Sequence, residues 1–221
     1  MSQAATPTVP AGEAPTAYPL LGPRRPRVTG HAPLVDLGRA EAAATELLRA
    51  LGLPIDTEAM CDTPGRLTRA YLELLSVPDF EMTTFANDEG YDELVVVADI
   101  PVRSLCEHHM LPFVGVAHVG YVPGDRLLGL SKFARTVDFF ARRPQTQERL
   151  TSQIADHLDA HLSPQGVGVV ISAEHTCMTL RGARAAGTRT RTSATRGVLR
   201  NHLATRAEFL SRAVTDRKSV V

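Results

Sequence analysis

The sequence predicts an α+β fold built on an antiparallel sheet. Apolar residues recur at helical spacing in several long segments, while β-branched runs stand next to one another in pairs. The order helix, helix, strand, strand, helix, helix, strand, strand also lacks the strict strand and helix alternation that builds a doubly wound parallel sheet. A chain of 221 residues, 43% of them hydrophobic, suffices for one domain with its own core and excludes disorder throughout.

Residues 1–33 are rich in Ala, Pro, Thr and Gly, show no apolar period and carry Arg24, Arg25 and Arg27 near their end; a disordered tail is expected. From Asp36 onward, Leu37, Ala40, Ala44, Leu47, Leu48 and Leu51 share a helical face until Gly52 and Pro54 stop it. Thr63 before Pro64 reads as an N-cap with proline at the first helical position, opening a second helix through Leu67, Ala70, Tyr71, Leu74 and Leu75 that carries Arg66 and Arg69. After an acidic, irregular stretch at 87–92, the β-type runs 94–100 and 113–122 are expected to pair antiparallel, with Cys106, Glu107, His108 and His109 on their connection or at a strand end.

Residues 131–143 and 145–162 read as helices separated by Pro144, the second with Leu150, Ile154, Leu158 and Leu162 on one face. The run 166–173 has the Thr-rich stretch 188–195 as its expected partner strand, joined by a turn through Gly182 and Gly187. A short helix over 206–212 precedes a polar tail, 213–221. One domain over 34–212 follows, with helices at 34–80 and a core at 93–212. No repeat at solenoid spacing is found.

Lys plus Arg and Asp plus Glu number 24 each, so net charge argues for neither a nucleic-acid coat nor a membrane surface, and any anion site must be a local cluster. Lys132 and Lys218 are the only lysines. No apolar run approaches the roughly 20 residues of a membrane span, and no secretory leader opens the chain, so a cytoplasmic protein is expected. Cys61, Cys106 and Cys177 are too few for a disulfide framework and suggest thiols or metal ligands.

A thiolate and an imidazole three residues apart, Cys106 and His109, can bite one metal ion if the backbone bends between them; the spacing equally fits a buried cysteine beside a solvated histidine. Glu174, His175, Thr176 and Cys177 form a second cluster behind a strand. If Cys177 joins the pair, three protein ligands leave a position for water and point to hydrolysis; the alternative is a closed structural site completed by His108 or His175.

Ser131 opens a helix with Lys132 and Arg135 within about a turn, which makes either an anion cradle or an ordinary solvated helix start, without the glycine-rich order of a P-loop. Glu148, next to Gln147, could accept two hydrogen bonds from the N1 and N2 edge of guanine, although Glu near a helix start is commonplace. Arg66, Arg69 and Arg181 are by default surface charges. His118, His157, His161, His202 and Cys61 have no partner pattern and carry no assignment.

Several stretches together resemble the GTP cyclohydrolase I family. They run from Asp62-Thr63-Pro64-Gly65-Arg66 through Ser104-Leu105-Cys106-Glu107-His108-His109 and Leu111-Pro112-Phe113 to Gly120-Tyr121-Val122-Pro123 and Gly129-Leu130-Ser131-Lys132. Ala141-Arg142-Arg143-Pro144-Gln145, Gln147-Glu148-Arg149-Leu150-Thr151, His175-Thr176-Cys177-Met178 and Arg181-Gly182 continue the match, which covers residues 36–212.

The resemblance implies zinc (Zn2+) on Cys106, His109 and Cys177, with His108 and His175 as proton-transfer groups and Ser131 assisting the later sugar chemistry. It implies guanine binding by Glu148 with Gln147, and triphosphate binding by Lys132, Arg135, Arg181 and Arg66, while Arg69 stands where the family often has lysine. The implied reaction opens GTP at C8, releases formate and closes the rearranged product into 7,8-dihydroneopterin triphosphate, the first step of tetrahydrofolate synthesis; 7-deazapurine synthesis uses the same reaction. The implied fold is the tunnelling fold, an antiparallel sheet with helices on one face plus an N-terminal helical segment, in which sheets of several subunits join into a barrel, pentamers stack into a homodecamer and active sites lie between subunits. A non-catalytic zinc- and nucleotide-binding regulatory module is the competing reading from another class. Other tunnelling-fold enzymes, nitrile reductases and pterin aldolases, do not need the Cys106, His109 and Cys177 set.

Overall fold

The computed structural model describes residues 27–28 and 34–213. The expected tails at 1–33 and 213–221 lie outside the described residues, except for Arg27–Val28, a two-residue strand (β1) rather than tail, and Ala213, which ends the last helix. β1 pairs antiparallel with β2 (Phe80–Glu81), where Val28 and Phe80 are buried.

The N-terminal pair of helices is α1 (Leu37–Ala50) and α2 (Thr63–Leu75). Asp36 caps α1 by accepting from the Arg39 amide at 3.0 Å. In α2 the cap falls one residue earlier than expected, at Asp62, whose carboxylate takes Arg66 at 3.1 Å instead of a backbone amide.

The main sheet is five-stranded, with β4 (Val95–Cys106), β5 (Pro112–Val122), β8 (Gly166–His175) and β9 (Thr190–Gly197) antiparallel in that order and β7 (Pro144–Gln145) parallel on the β4 edge. Both expected pairings form, and β4 runs on through Cys106. Within β4 the register shifts between Val97 and Ile100, where Ala98 and Asp99 together oppose His118; Asp99 has φ +56° and its amide donates to His118 Nδ1 at 3.3 Å. Because that bulge inserts one residue, Val95 and Val97 before it and Ile100, Val102 and Cys106 after it all face the same core. A small antiparallel pair, β3 (Thr84–Ala86) with β6 (Arg126–Leu128), flanks the sheet.

One face of the sheet is covered by α3 (Ser131–Ala141) and α4 (Gln147–Leu162). Phe133, Val137, Leu150, Ile154 and Leu158 from these helices bury against Val102, Phe113, Val119, Val169 and Ile171. The opposite face carries a smaller cover from α6 (Val198–Asn201) and α7 (Leu203–Ala213), centred on Leu199 and Phe209 with Leu94, Val122 and Val170. This second layer adds to the expected layer on one face. Phe209 sits where the sheet is bare: a Cβ on Gly120 or Gly168 would come within 2.7 or 2.5 Å of its ring. A four-residue helix, α5 (Thr176–Thr179), follows β8 directly.

Candidate metal centre and active site

The site forms at the end of the sheet where β4 hands over to β5 and β8 ends. Cys106 closes β4, and the chain turns at once: the amides of His109 and Met110 donate to the Cys106 carbonyl at 3.2 and 2.8 Å, Met110 takes φ +54°, and the Cys106 amide donates to the Leu111 carbonyl at 2.8 Å. That turn is the bend which lets residues three apart share one ion. Cys177 arrives from α5, held near by Thr176, whose hydroxyl donates to the Pro112 carbonyl at 2.6 Å.

The ligand atoms of Cys106, His109 and Cys177 consequently all lie within 4.8 Å of one another. A tetrahedral zinc with bonds of about 2.0–2.3 Å sets its donors roughly 3.5–3.8 Å apart, so this mixed thiol and imidazole set fits such an ion after small adjustments. Cys106 Sγ lies 3.9 Å from His109 Nδ1 and 3.8 Å from His108 Nδ1. All three cysteines are free thiols. Burial, then the neighbouring Cys106, pushes the Cys177 thiol pKa up, with Arg181 pulling the other way. A divalent cation reverses such a shift, because the thiolate is the form that ligates.

Residues that sequence reasoning passed over brace this turn. Arg149 reaches from α4 to ion-pair with Glu107, and it also donates to Gln145 Oε1 at 2.7 Å and to the Pro144 carbonyl at 2.9 Å. The Glu107 amide donates to the Gln145 carbonyl at 3.1 Å, and Tyr71 of α2 donates to the Met110 carbonyl at 2.9 Å. Gln145 and Arg149 stand four apart in sequence, the one signal that could have flagged them; Glu107 and Tyr71 offered none.

His175 ends β8 directly opposite Phe113 and stacks on it, ring centroids 4.5 Å apart and planes 10° from parallel. Burial holds its pKa below the usual histidine value, against the raising effect of the Glu148 carboxylate. Glu148 is exposed at the start of α4, and Arg181 is exposed on the loop after Cys177. Gln147 is placed differently from a substrate ligand: it is 1% exposed, and its side chain binds inside the protein and to His175.

Ser131 and Lys132 are not brought to the triad of their own chain, and Arg135 is exposed a turn further along α3. α3 has 11 residues and is roughly 16 Å long, and its C-terminal end leads within three residues to Pro144 and Gln145, which pair with Leu105 and Cys106. Ser131 and Lys132 therefore open the remote end. Arg66 and Arg69 are exposed on α2, Arg66 paired with Asp62.

Fold and site together define an α+β protein with a thiol and imidazole cluster that could hold a metal ion at one end of an antiparallel sheet. A family model described as GTP cyclohydrolase I matches residues 40–214. GTP cyclohydrolase 1 of Mycobacteroides abscessus is 54% identical over 189 residues, spanning 82% of this chain and 91% of that protein. The Mycobacterium tuberculosis H37Rv protein of the same name is 54% identical over 181 residues, 79% of this chain and 89% of its own. This chain belongs to the GTP cyclohydrolase I family, and its antiparallel sheet with a helical layer is consistent with the tunnelling fold of that family. Among solved structures, apo archaeosine synthase QueF-Like aligns over 47% of this chain and 93% of its own at 20% identity with a TM-score of 0.37. No helix among the described residues is long and apolar enough to cross a membrane.

Proposed function

We propose that this chain is a GTP cyclohydrolase I that opens the imidazole ring of GTP at C8, releases formate and forms 7,8-dihydroneopterin triphosphate, with zinc held by Cys106, His109 and Cys177. The observation that carries the reading is the gathering of those three ligand atoms within 4.8 Å beside His175. Zinc at that position supplies Lewis acidity, which makes water a nucleophile near neutral pH. His108, whose Nδ1 lies 3.8 Å from Cys106 Sγ, and His175, which precedes Cys177 at the end of β8, between them serve the two proton transfers the ring opening needs, delivery to guanine N7 and removal from the attacking water.

Glu148, exposed at the α4 start and electrostatically coupled to His175, is suited to accept from guanine N1 and N2. Arg181, beside Cys177, is suited to the triphosphate, as are Lys132, Arg135, Arg66 and Arg69; Ser131 is suited to hydrogen-bond the sugar or phosphate during the rearrangement. Since Ser131 and Lys132 lie at the far end of α3 from the cluster, a complete site needs the α3 start of another copy. This supports a homo-oligomer with active sites between subunits; its form as two stacked pentamers rests on the family resemblance alone.

The test is to incubate the purified protein with GTP and assay formate and 7,8-dihydroneopterin triphosphate together. The two should appear in equal amounts. Formate without the pterin, or neither, would refute the proposed reaction.

A further inference from the structure

We propose that Gln147 is a positioning residue that locks His175 in the tautomer protonated at Nε2, with the lone pair of the neutral ring at Nδ1. This rests on the catalytic reading of His175 given above.

The amide of Gln147 is buried to 1% exposure in the first turn of α4. Its Nε2 faces three acceptors: the Ile171 carbonyl at 3.1 Å, the Thr190 carbonyl at 3.0 Å and Thr192 Oγ1 at 3.1 Å. Two of these are backbone carbonyls and can only accept, so the amide nitrogen must point at them; the flipped amide would set Oε1 against two carbonyl oxygens. The threonines close the pattern. Thr151 donates to the Gln147 carbonyl at 2.7 Å, which leaves Thr192 to donate to Thr151 Oγ1 at 2.6 Å and to accept from Gln147.

With the amide so fixed, Oε1 is the atom 2.9 Å from His175 Nε2. An amide oxygen only accepts. His175 Nε2 must therefore carry the proton, and Nδ1 holds the lone pair of the neutral ring. Phe113 fixes the plane of the same ring by stacking on it, so two contacts set tautomer and orientation together. Gln147 has no unused donor to offer guanine, which separates its role from that of the adjacent, exposed Glu148.

The experiment uses the full chain in two arms. In the first, the wild-type protein labelled with 15N-histidine is examined by long-range proton–nitrogen correlation, with the His175 signals identified by their loss in His175→Asn. A protonated Nε2 and an unprotonated Nδ1 are expected in the neutral ring; the opposite pattern overturns the proposal. In the second, Gln147→Leu is compared with wild type for zinc content, kcat and KM. Unchanged zinc, a KM for GTP within about twofold and a kcat lower by roughly a hundredfold are expected. A raised KM with unchanged kcat would make Gln147 a guanine ligand and overturn the proposal. If Gln147→Leu does not fold, Thr192→Val, which removes one outer partner and leaves His175 untouched, should lower kcat by a smaller factor at constant KM, and an unchanged kcat counts against the proposal. Failure of wild type to turn over GTP would instead refute the proposed reaction, and the nitrogen shifts would still report the tautomer.

Discussion

At the scale of single residues, neighbours in sequence live in different surroundings. Cys106 is 5% exposed while His108 and His109 are open to solvent, so one short turn offers a shielded thiol and accessible imidazoles to the same point. His157 shows the opposite case, a histidine whose surroundings keep it neutral. It packs against Phe140 and lies tilted against His161, its Nε2 has no hydrogen-bond partner, and burial, followed by repulsion from His161, lowers its pKa to about 4. Its unfolded value is 6.5, so the unfolded chain takes up a proton that the folded one refuses. The stability penalty is absent above pH 6.5 and grows as pH falls towards about 4. Thermal melts of His157→Phe should accordingly show a shallower loss of Tm between pH 6.5 and 4 than wild type; parallel curves would contradict the assignment.

The cysteines and histidines of the cluster were legible in the sequence because short spacings carry metal chemistry. The internal role of Gln147 was not. Its partners Ile171, Thr190 and Thr192 stand 24, 43 and 45 residues away on two strands, and only the folded sheet brings their oxygens to one amide.

At the scale of elements, helical periodicity located the long helices, and runs of β-type residues located the four long strands, of which β8 is buried on both faces. Neither signal could locate β1, β2, β3, β6 and β7, which have two or three residues and no period to show. The bulge at Ala98 and Asp99 was also hidden: Asp99 interrupts the apolar run of β4, but a single polar residue in a strand reads equally as an ordinary solvent-facing position. Nor did the sequence say that α7 lies across the sheet from α3 and α4. That placement depends on Gly120 and Gly168, which clear a seat for Phe209 on the far face. Gly168→Ala would place a methyl 2.5 Å from the Phe209 ring and should lower stability by about 1–3 kcal/mol, read as an earlier denaturant midpoint. An unchanged midpoint would mean that α7 is not docked there.

At the scale of the whole molecule, the separation of Ser131 and Lys132 from the cluster has a direct consequence for assembly. A chain lacking the cluster and a chain lacking the α3 cation should repair each other when they share an oligomer. Cys106→Ser and Lys132→Ala chains, each inactive alone, should on mixed refolding recover about a quarter of wild-type turnover by random association. No recovery would place the whole site within one subunit.

If the cluster at the sheet end holds the ion on which GTP opening depends, stripping the protein with a chelator, returning zinc in steps and following 7,8-dihydroneopterin triphosphate formation against zinc bound per chain will reveal it. Turnover should be absent in the stripped protein and should rise in proportion to bound zinc up to one ion per chain, while Cys106→Ser and Cys177→Ser bind none at this site and stay inactive. Full turnover by the metal-free protein, or zinc-dependent turnover surviving in both cysteine variants, would contradict that role of the cluster.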